Sequence, residues 1–125
     1  PAMADTVQFI LEDMIPELED LEKRNLFSKS EIRQIVKKRT DFEYLLKRRA
    51  ALKTDFLRYI EYETKVDQLR RHRKKLQVEP ERGVADHSVE RRIHFLYNRA
   101  LQKFRGDLRL WGQYFQFCRY KGSTK

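Results

Sequence analysis

The chain is short of every residue type that breaks or staples a polypeptide. Its 125 residues include four glycines, three prolines and a single cysteine. Cys118 alone cannot form an internal disulfide, which excludes a disulfide-stapled fold and fits a reducing compartment. So few Gly and Pro, with 40% hydrophobic and 38% charged residues, argue against a β-rich or disordered chain and for long amphipathic helices. No apolar run approaches the ~18 residues of a membrane span, so a soluble protein with no membrane contact is expected. The length suits one domain or part of a larger protein. The opening Pro-Ala-Met reads as a cloning remnant with Met3 as the natural start, and no secretory leader follows it.

Basic residues are missing from positions 1–22, which hold seven acids: Asp5, Glu12, Asp13, Glu17, Glu19, Asp20 and Glu22. All 28 Lys and Arg therefore lie in 23–125 against the other 12 acids, a local net of +16 within an overall +9. An acidic start of this kind can dock on the chain's own basic remainder or on a basic partner. The basic remainder can meet nucleic acid, an acidic protein surface, or simply solvent.

Helix signals are dense. Val7, Ile10, Leu11, Met14, Leu18 and Leu21 recur at helical spacing behind the capping candidates Asp5 and Thr6. Pro16 inside that pattern predicts a kink or a fresh first turn. Ser28 with Glu31 forms a capping box, Phe27 is a staple candidate, and Ile32, Ile35 and Val36 make the stripe behind them. Thr40 with Glu43 repeats the box, so this helix either breaks near Arg39 or runs on through Phe42, Leu45 and Leu46. In 54–77 the stripe is Phe56, Tyr59, Ile60, Glu63, Val66, Leu69 and Leu76. Pro80 and Gly83 mark a loop, and Val89, Ile93, Leu96, Tyr97, Ala100, Leu101 and Phe104 stripe the next helix. Gly106 ends that helix, Asp107 caps the last one, and the closing "KGSTK" is polar and expected to fray. With five or six helices and no strand signal, the predicted fold is all-α.

One aromatic spacing occurs twice. Phe56, Tyr59 and Glu63 stand at nearly the same offsets as Trp111, Tyr114 and Phe117. Between them, Tyr97, Ala100 and Leu101 precede a tight Gly-Asp turn, so the flanking helices must lie antiparallel. The spacing places Trp111 and Tyr114 in the crossing beside the small Ala100, where loss of a buried Trp costs about 3–5 kcal/mol. Plain core packing explains aromatics at helical spacing as well as a repeat does. The second helix of the pair, with Arg92, Tyr97, Arg99, Ala100 and Leu101, resembles with its mate a half-a-tetratricopeptide (HAT) repeat. "LFSKSEI", "KKRTDFEYLLKRR" and "YIEYE" extend the likeness over nearly the whole chain, to the amino-terminal region of the HAT-repeat subunits of the UTP-B subcomplex of the small-subunit processome. The loop around Pro80 is longer than the family pattern, and Cys118 stands where the pattern has glutamate.

The resemblance implies antiparallel helix pairs that begin a HAT or tetratricopeptide-like α-solenoid. Residues 4–50 would form an N-terminal helical cap, and 51–106 a first repeat with a long inter-helix loop at 77–87. Residues 107–121 would be the first helix of the next repeat. About three repeats are usually needed for a stable solenoid. The last helix is therefore expected to leave Trp111, Phe115 and Phe117 partly uncovered.

No catalytic constellation is legible: there is no Gly-rich phosphate loop, no nucleophile elbow and no His-Glu-x-x-His. His87, Glu90 and His94 could share a helix face, but two imidazoles two turns apart make a poor metal site. Cys118 beside Arg119 reads as a packing residue rather than a reactive thiol. No enzyme, cofactor or metal is expected. Two functions remain. A protein-docking scaffold is the first, and its candidate partner surface is Phe9, Ile10, Met14 and Leu18, an edge that can equally pack inside the cap. For that role the resemblance implies WD-repeat propeller subunits of UTP-B as partners, U-three small nucleolar RNA-associated protein eighteen foremost. It also implies nucleolar work on early pre-ribosomal RNA. Direct RNA binding is the second, through Arg70, Arg71, Arg73, Lys74 and Lys75, with basic triplets at 37–39 and 47–49. Cations at a helix carboxyl end also complement its dipole, and no aromatic platform is evident beside them.

Overall fold

The computed structural model describes the backbone of residues 2–122 and the side chains of 6–120; the expected remnant at 1–3 and the tail from Lys121 lie outside the described side chains. Among the described residues there are six helices and no strand: α1 (Ala2–Asp13), α2 (Ile15–Lys23), α3 (Lys29–Lys47), α4 (Lys53–Lys75), α5 (Ala85–Lys103) and α6 (Leu108–Gly122).

Local chemistry sets the boundaries. Pro16 falls in the first turn of α2, where its missing N–H costs nothing, and α1 ends just before it. The end of α2 is a Schellman motif: Leu26 N donates to Leu21 O (3.0 Å) and Asn25 N to Glu22 O (3.0 Å). Asn25 takes the left-handed position, φ 58°, that asparagine tolerates better than most side chains. The Ser28–Glu31 capping box opens α3 in both directions. Thr40 does not start a new helix. Its hydroxyl donates back to Val36 O (2.7 Å), and α3 runs on unbroken. Asp55 accepts from Leu52 N (2.8 Å) at the start of α4, and Asp107 accepts from Leu110 N (3.0 Å) at the start of α6.

The α4–α5 pair is the centre of the molecule. Helices α2 and α3 pack across it, α1 lies on α3, and α6 lies on α5. Two apolar clusters result. One gathers Phe56, Tyr59, Ile60, Val89, Ile93, Leu96, Tyr97, Ala100, Leu101 and Leu110 between α4, α5 and α6. The other gathers Met14, Leu18, Leu21, Leu26, Phe27, Ile35, Val66 and Ala85 under the first three helices. The structure corrects the expected stripe of α4: Leu69 is 38% and Leu76 71% exposed. Continued at 3.6 residues per turn, the buried face runs through Glu63, Val66, Asp67 and Arg70 instead, so three of its four later positions are charged.

Candidate functional site

Charged side chains on the inner faces of the helices meet in two networks. In the first, Arg39 of α3 is fully buried and forms a bidentate pair with Glu63 of α4, Nε and Nη2 each 2.8 Å from a carboxylate oxygen. Its Nη1 donates to Glu17 of α2, which also accepts from the Ser88 hydroxyl of α5 and lies 3.7 Å from Arg92. One turn along α3, Glu43 accepts from Tyr59 OH (2.9 Å) and from both terminal nitrogens of Arg99 (3.1 and 3.0 Å). Phe42 stacks on Tyr59, centroids 4.8 Å apart at 6°. Three arginines thus face three glutamates. Burial alone would disfavour the charge on Arg39, but Glu63 and Glu17 outweigh it and hold its pKa above the ordinary value. Burial pushes Glu17 up, and Arg39, Arg92 and Ser88 more than reverse that. For Tyr59, burial raises the phenol well above its usual value and the neighbouring Glu63 and Glu43 add to the shift.

The second network surrounds Asp86 at the start of α5. It pairs with Arg24 (2.9 Å), Arg70 (3.2 Å) and Lys74 (3.0 Å), and Gly83 N donates to it (3.1 Å). Burial raises Asp86, but the bonds from Arg24, Lys74 and Gly83 N hold it at about 2. Asp20 accepts from Arg24 and from Ala85 N, the latter at 2.9 Å. A Cβ on Gly83 would stand 2.5 Å from that carboxylate, so a larger residue here would have to displace the Asp20 side chain from its bonds to Arg24 and Ala85 N. Asp67 takes Arg70 and Arg71, and Glu31 takes Arg73 in a bidentate pair at 2.8 Å.

These contacts correct the expected RNA tract. Arg70 is 3% exposed and committed to Asp67 and Asp86; Arg71 pairs with Asp67 and Glu90, Arg73 with Glu31, and Lys74 with Asp86. Arg73 also lies over the Phe27 ring, 5.0 Å from its centroid. Lys75 is left exposed at the end of α4. Of the acidic start, Glu17 and Asp20 pair with the chain's own Arg39 and Arg24, while Glu12, Asp13 and Glu19 are exposed. The cue missed in the sequence was charge at stripe positions: Arg39 and Glu43 follow Ile35 at four and eight residues, yet both are buried.

The repeat-spaced residues divide. Phe56, Tyr59, Glu63, Tyr97, Ala100 and Leu101 are buried, while Tyr114 and Phe117 are half-buried against Tyr97. Trp111 is 37% exposed, and its Nε1 donates to Arg105 O (3.0 Å); Leu110, at 1%, fills the crossing in its place. One residue of phase along α6, about 100°, makes that exchange. Met14 and Leu18 are core residues at 1% and 8%, so they leave the expected partner surface. Phe9, 71% exposed, and the half-buried Ile10 remain on it, lining a groove of about 500 Å³ with Val84 and Phe95 of the facing side. His94 Nδ1 lies 3.0 Å from Tyr114 OH, His87 is exposed, and no group of three or more metal-ligating side chains occurs among the described residues. No helix among them is long and apolar enough to cross a membrane.

An all-helical, repeat-like module whose layers are joined by buried ion pairs is the class of protein these features define. The family model described as U3 small nucleolar RNA-associated protein 6 matches residues 11–94, and the chain belongs to that family. That span contains Glu17, Arg39, Glu43, Glu63 and Arg92. The chain is 41% identical over 117 residues to U3 small nucleolar RNA-associated protein 6 of Schizosaccharomyces pombe, covering 93% of this chain and 24% of the relative. It is 38% identical over 122 residues to the Mus musculus homolog, covering 97% of this chain and 20% of the relative. The Homo sapiens homolog is 38% identical over 124 residues, with 98% and 21% covered. The chain therefore spans between a fifth and a quarter of the length of these relatives.

Proposed function

We propose that this chain is a non-catalytic docking module of a U3 small nucleolar RNA-associated assembly. In this reading it holds partner proteins within the UTP-B subcomplex of the small-subunit processome, in the nucleolus, during early pre-ribosomal RNA processing. Family membership supports the setting, since the relatives are named for association with U3 small nucleolar RNA. The observation that carries the docking role is how the ionisable groups are spent. Arg39, Arg92 and Arg99 neutralise Glu17, Glu63 and Glu43 inside the fold and tie α2, α3, α4 and α5 into one frame, a use that leaves them no chemistry to perform. On this frame, residues 4–50 act as the cap, 51–106 as the first HAT-like repeat and 107–121 as the opening helix of a second.

The Phe9–Phe95 groove is the docking surface of this reading. Phe9, Val84 and Phe95 are 71%, 52% and 52% exposed, and the exposed Arg91 stands at the same groove. Its occupant is an apolar segment carrying a carboxylate for Arg91, supplied by a WD-repeat propeller subunit, U-three small nucleolar RNA-associated protein eighteen foremost. Co-expression of residues 1–125 with that subunit and purification at high salt tests it. The wild type should co-purify, and Phe9→Glu/Phe95→Glu should lose the partner while keeping its circular dichroism. Failure of the wild type to co-purify, or retention by the double variant, overturns it.

A further inference from the structure

One largely buried arginine at the Phe9–Phe95 groove is short of acceptors. The Arg92 side chain is 14% exposed, and its Nε is buried with no hydrogen-bond partner. Its ion pair with Glu17, at 3.7 Å, is longer than a hydrogen bond, and Glu17 already accepts from Arg39 and Ser88. A guanidinium stripped of most of its water costs free energy until an acceptor reaches it. Arg91, exposed beside it, lines the same groove. Among the described residues neither arginine pairs with Asp13, which is exposed on the opposite wall.

The groove has the shape of a missing helix. From the N-cap of α5, Val84, Ser88, Arg91 and Phe95 follow one another at four, three and four residues, a single face three turns and about 16 Å long. Phe9 and Ile10 of α1 form the facing wall. Both walls are helices, and among the described residues there is no strand whose edge could pair with an extended segment. An extended occupant would carry its backbone N–H and C=O groups into an apolar cleft without partners, whereas a helix satisfies its own. The groove also faces away from α6. Tyr97, which packs on Tyr114 and Phe117 of α6, is two residues and so about 200° round α5 from Phe95. Whatever stacks on α6 therefore approaches α5 from the opposite side.

We propose that the groove takes one amphipathic α-helix of a partner protein, held by two apolar side chains and a single carboxylate. The apolar residues, one for Val84 and Phe9 and one for Phe95, stand eleven positions apart. The carboxylate, seven positions from the first and four from the second, pairs with Arg92 and Arg91. This rests on the docking reading above and narrows its apolar segment to a helix with one fixed acid. The test selects two display libraries on the 125-residue chain. One holds sixteen-residue, alanine-rich helical peptides randomised along one face. The other holds random sixteen-residue peptides with proline at every fourth position, which cannot form a helix.

The helical library should yield peptides with that apolar–acid–apolar spacing, and the bound peptide should gain helical circular dichroism. Phe9→Glu/Phe95→Glu should weaken the selected peptide about tenfold or more, read by anisotropy. Changing the peptide's acid to glutamine leaves the protein untouched and should weaken binding to the wild type about tenfold. The same change should matter by no more than about twofold on Arg92→Gln, because the acid's partner is already gone. Equal losses on the two proteins would remove Arg92 from the contact and overturn the assignment. Proline peptides that bind as tightly, and are lost in the double variant, would overturn the helix while leaving a docking groove. No binder from either library, or binders kept by the double variant, would overturn the helix here, and co-purification would then decide the docking reading alone. A chain that sediments as a dimer, and as a monomer with Phe9→Glu/Phe95→Glu, would give the groove to a second copy and overturn the partner helix.

Discussion

Arg39 occupies a stripe position of α3 at which a leucine would pack without any counter-charge. It is fully buried, and its charge is met by Glu63 and Glu17 from two other helices. Removing one partner of such a group leaves the others buried and unmatched, a loss of about 3–5 kcal/mol. Arg39→Met should therefore unfold the chain at markedly lower urea. Arg39→Met with Glu17→Gln and Glu63→Leu should recover part of that loss, because both carboxylates that faced Arg39 are removed with it and only Arg92, 3.7 Å from Glu17, loses a counter-charge. A triple variant no more stable than the single one would show that the network contributes beyond charge matching. Trp111 and Leu110 make the opposite comparison. Leu110→Ala empties the α5–α6 crossing and should cost about 2–5 kcal/mol, whereas Trp111→Ala should cost about 1 kcal/mol or less, read from the same urea midpoints. The sequence spacing had placed Trp111 in that crossing and had given Leu110 no role there.

Helix ends carry the next level of control. The Ser28–Glu31 box satisfies two donors at the start of α3, and Glu31 is shared with Arg73 across to α4. Ser28→Ala should cost about 1 kcal/mol by thermal denaturation. Acid sensitivity belongs at this scale too. Asp86 binds the end of α4 to the start of α5 and titrates at about 2, below its ordinary 3.8. The hydrogen bond from Arg73, ahead of the Ser28 N–H, holds Glu31 at about 2 against an ordinary 4.5. Both folded values are depressed, so the stabilisation is complete above the ordinary values and is lost as pH falls from there through about 2. Melting temperature should stay level from neutral pH down to about 5 and then fall steeply. Asp86→Asn should start lower at neutral pH and lose less on acidification. A variant whose acid limb matched the wild type would remove Asp86 from the account.

At the scale of the whole molecule, positive charge and apolar surface have been sorted to different places. Of the 70–75 tract, Arg70, Arg71, Arg73 and Lys74 pair within the fold and Lys75 is exposed, while Phe9, Val84 and Phe95 line an open apolar groove. Leu108, Trp111 and Phe115 leave 82%, 37% and 57% of their surface to solvent on the outer side of α6. An apolar dye should bind there, and Leu108→Glu/Phe115→Glu should abolish its emission without lowering the melting temperature. Persistent emission in that variant would shift the dye site to the Phe9–Phe95 groove.

Much of this architecture is written locally. Pro16, the Ser28 box, Asp107 and the Pro80–Gly83 loop marked the helix boundaries because each acts on backbone groups within a few residues of itself. The all-α class followed from composition and from apolar spacing, and the family from short motifs within that spacing. What the sequence by itself did not determine was which charges go inside. Leu69 and Leu76 looked buried and Arg70 looked like part of an exposed basic tract, because hydropathy scores each residue alone. The energy of a buried charge instead depends on a partner far along the chain. Arg39 and Glu63 are 24 residues apart, and Glu17 and Ser88 are 71 apart. Only the packing of α2, α3, α4 and α5 brings such groups within hydrogen-bond distance, so only the tertiary structure decided which bases remain free to meet a partner.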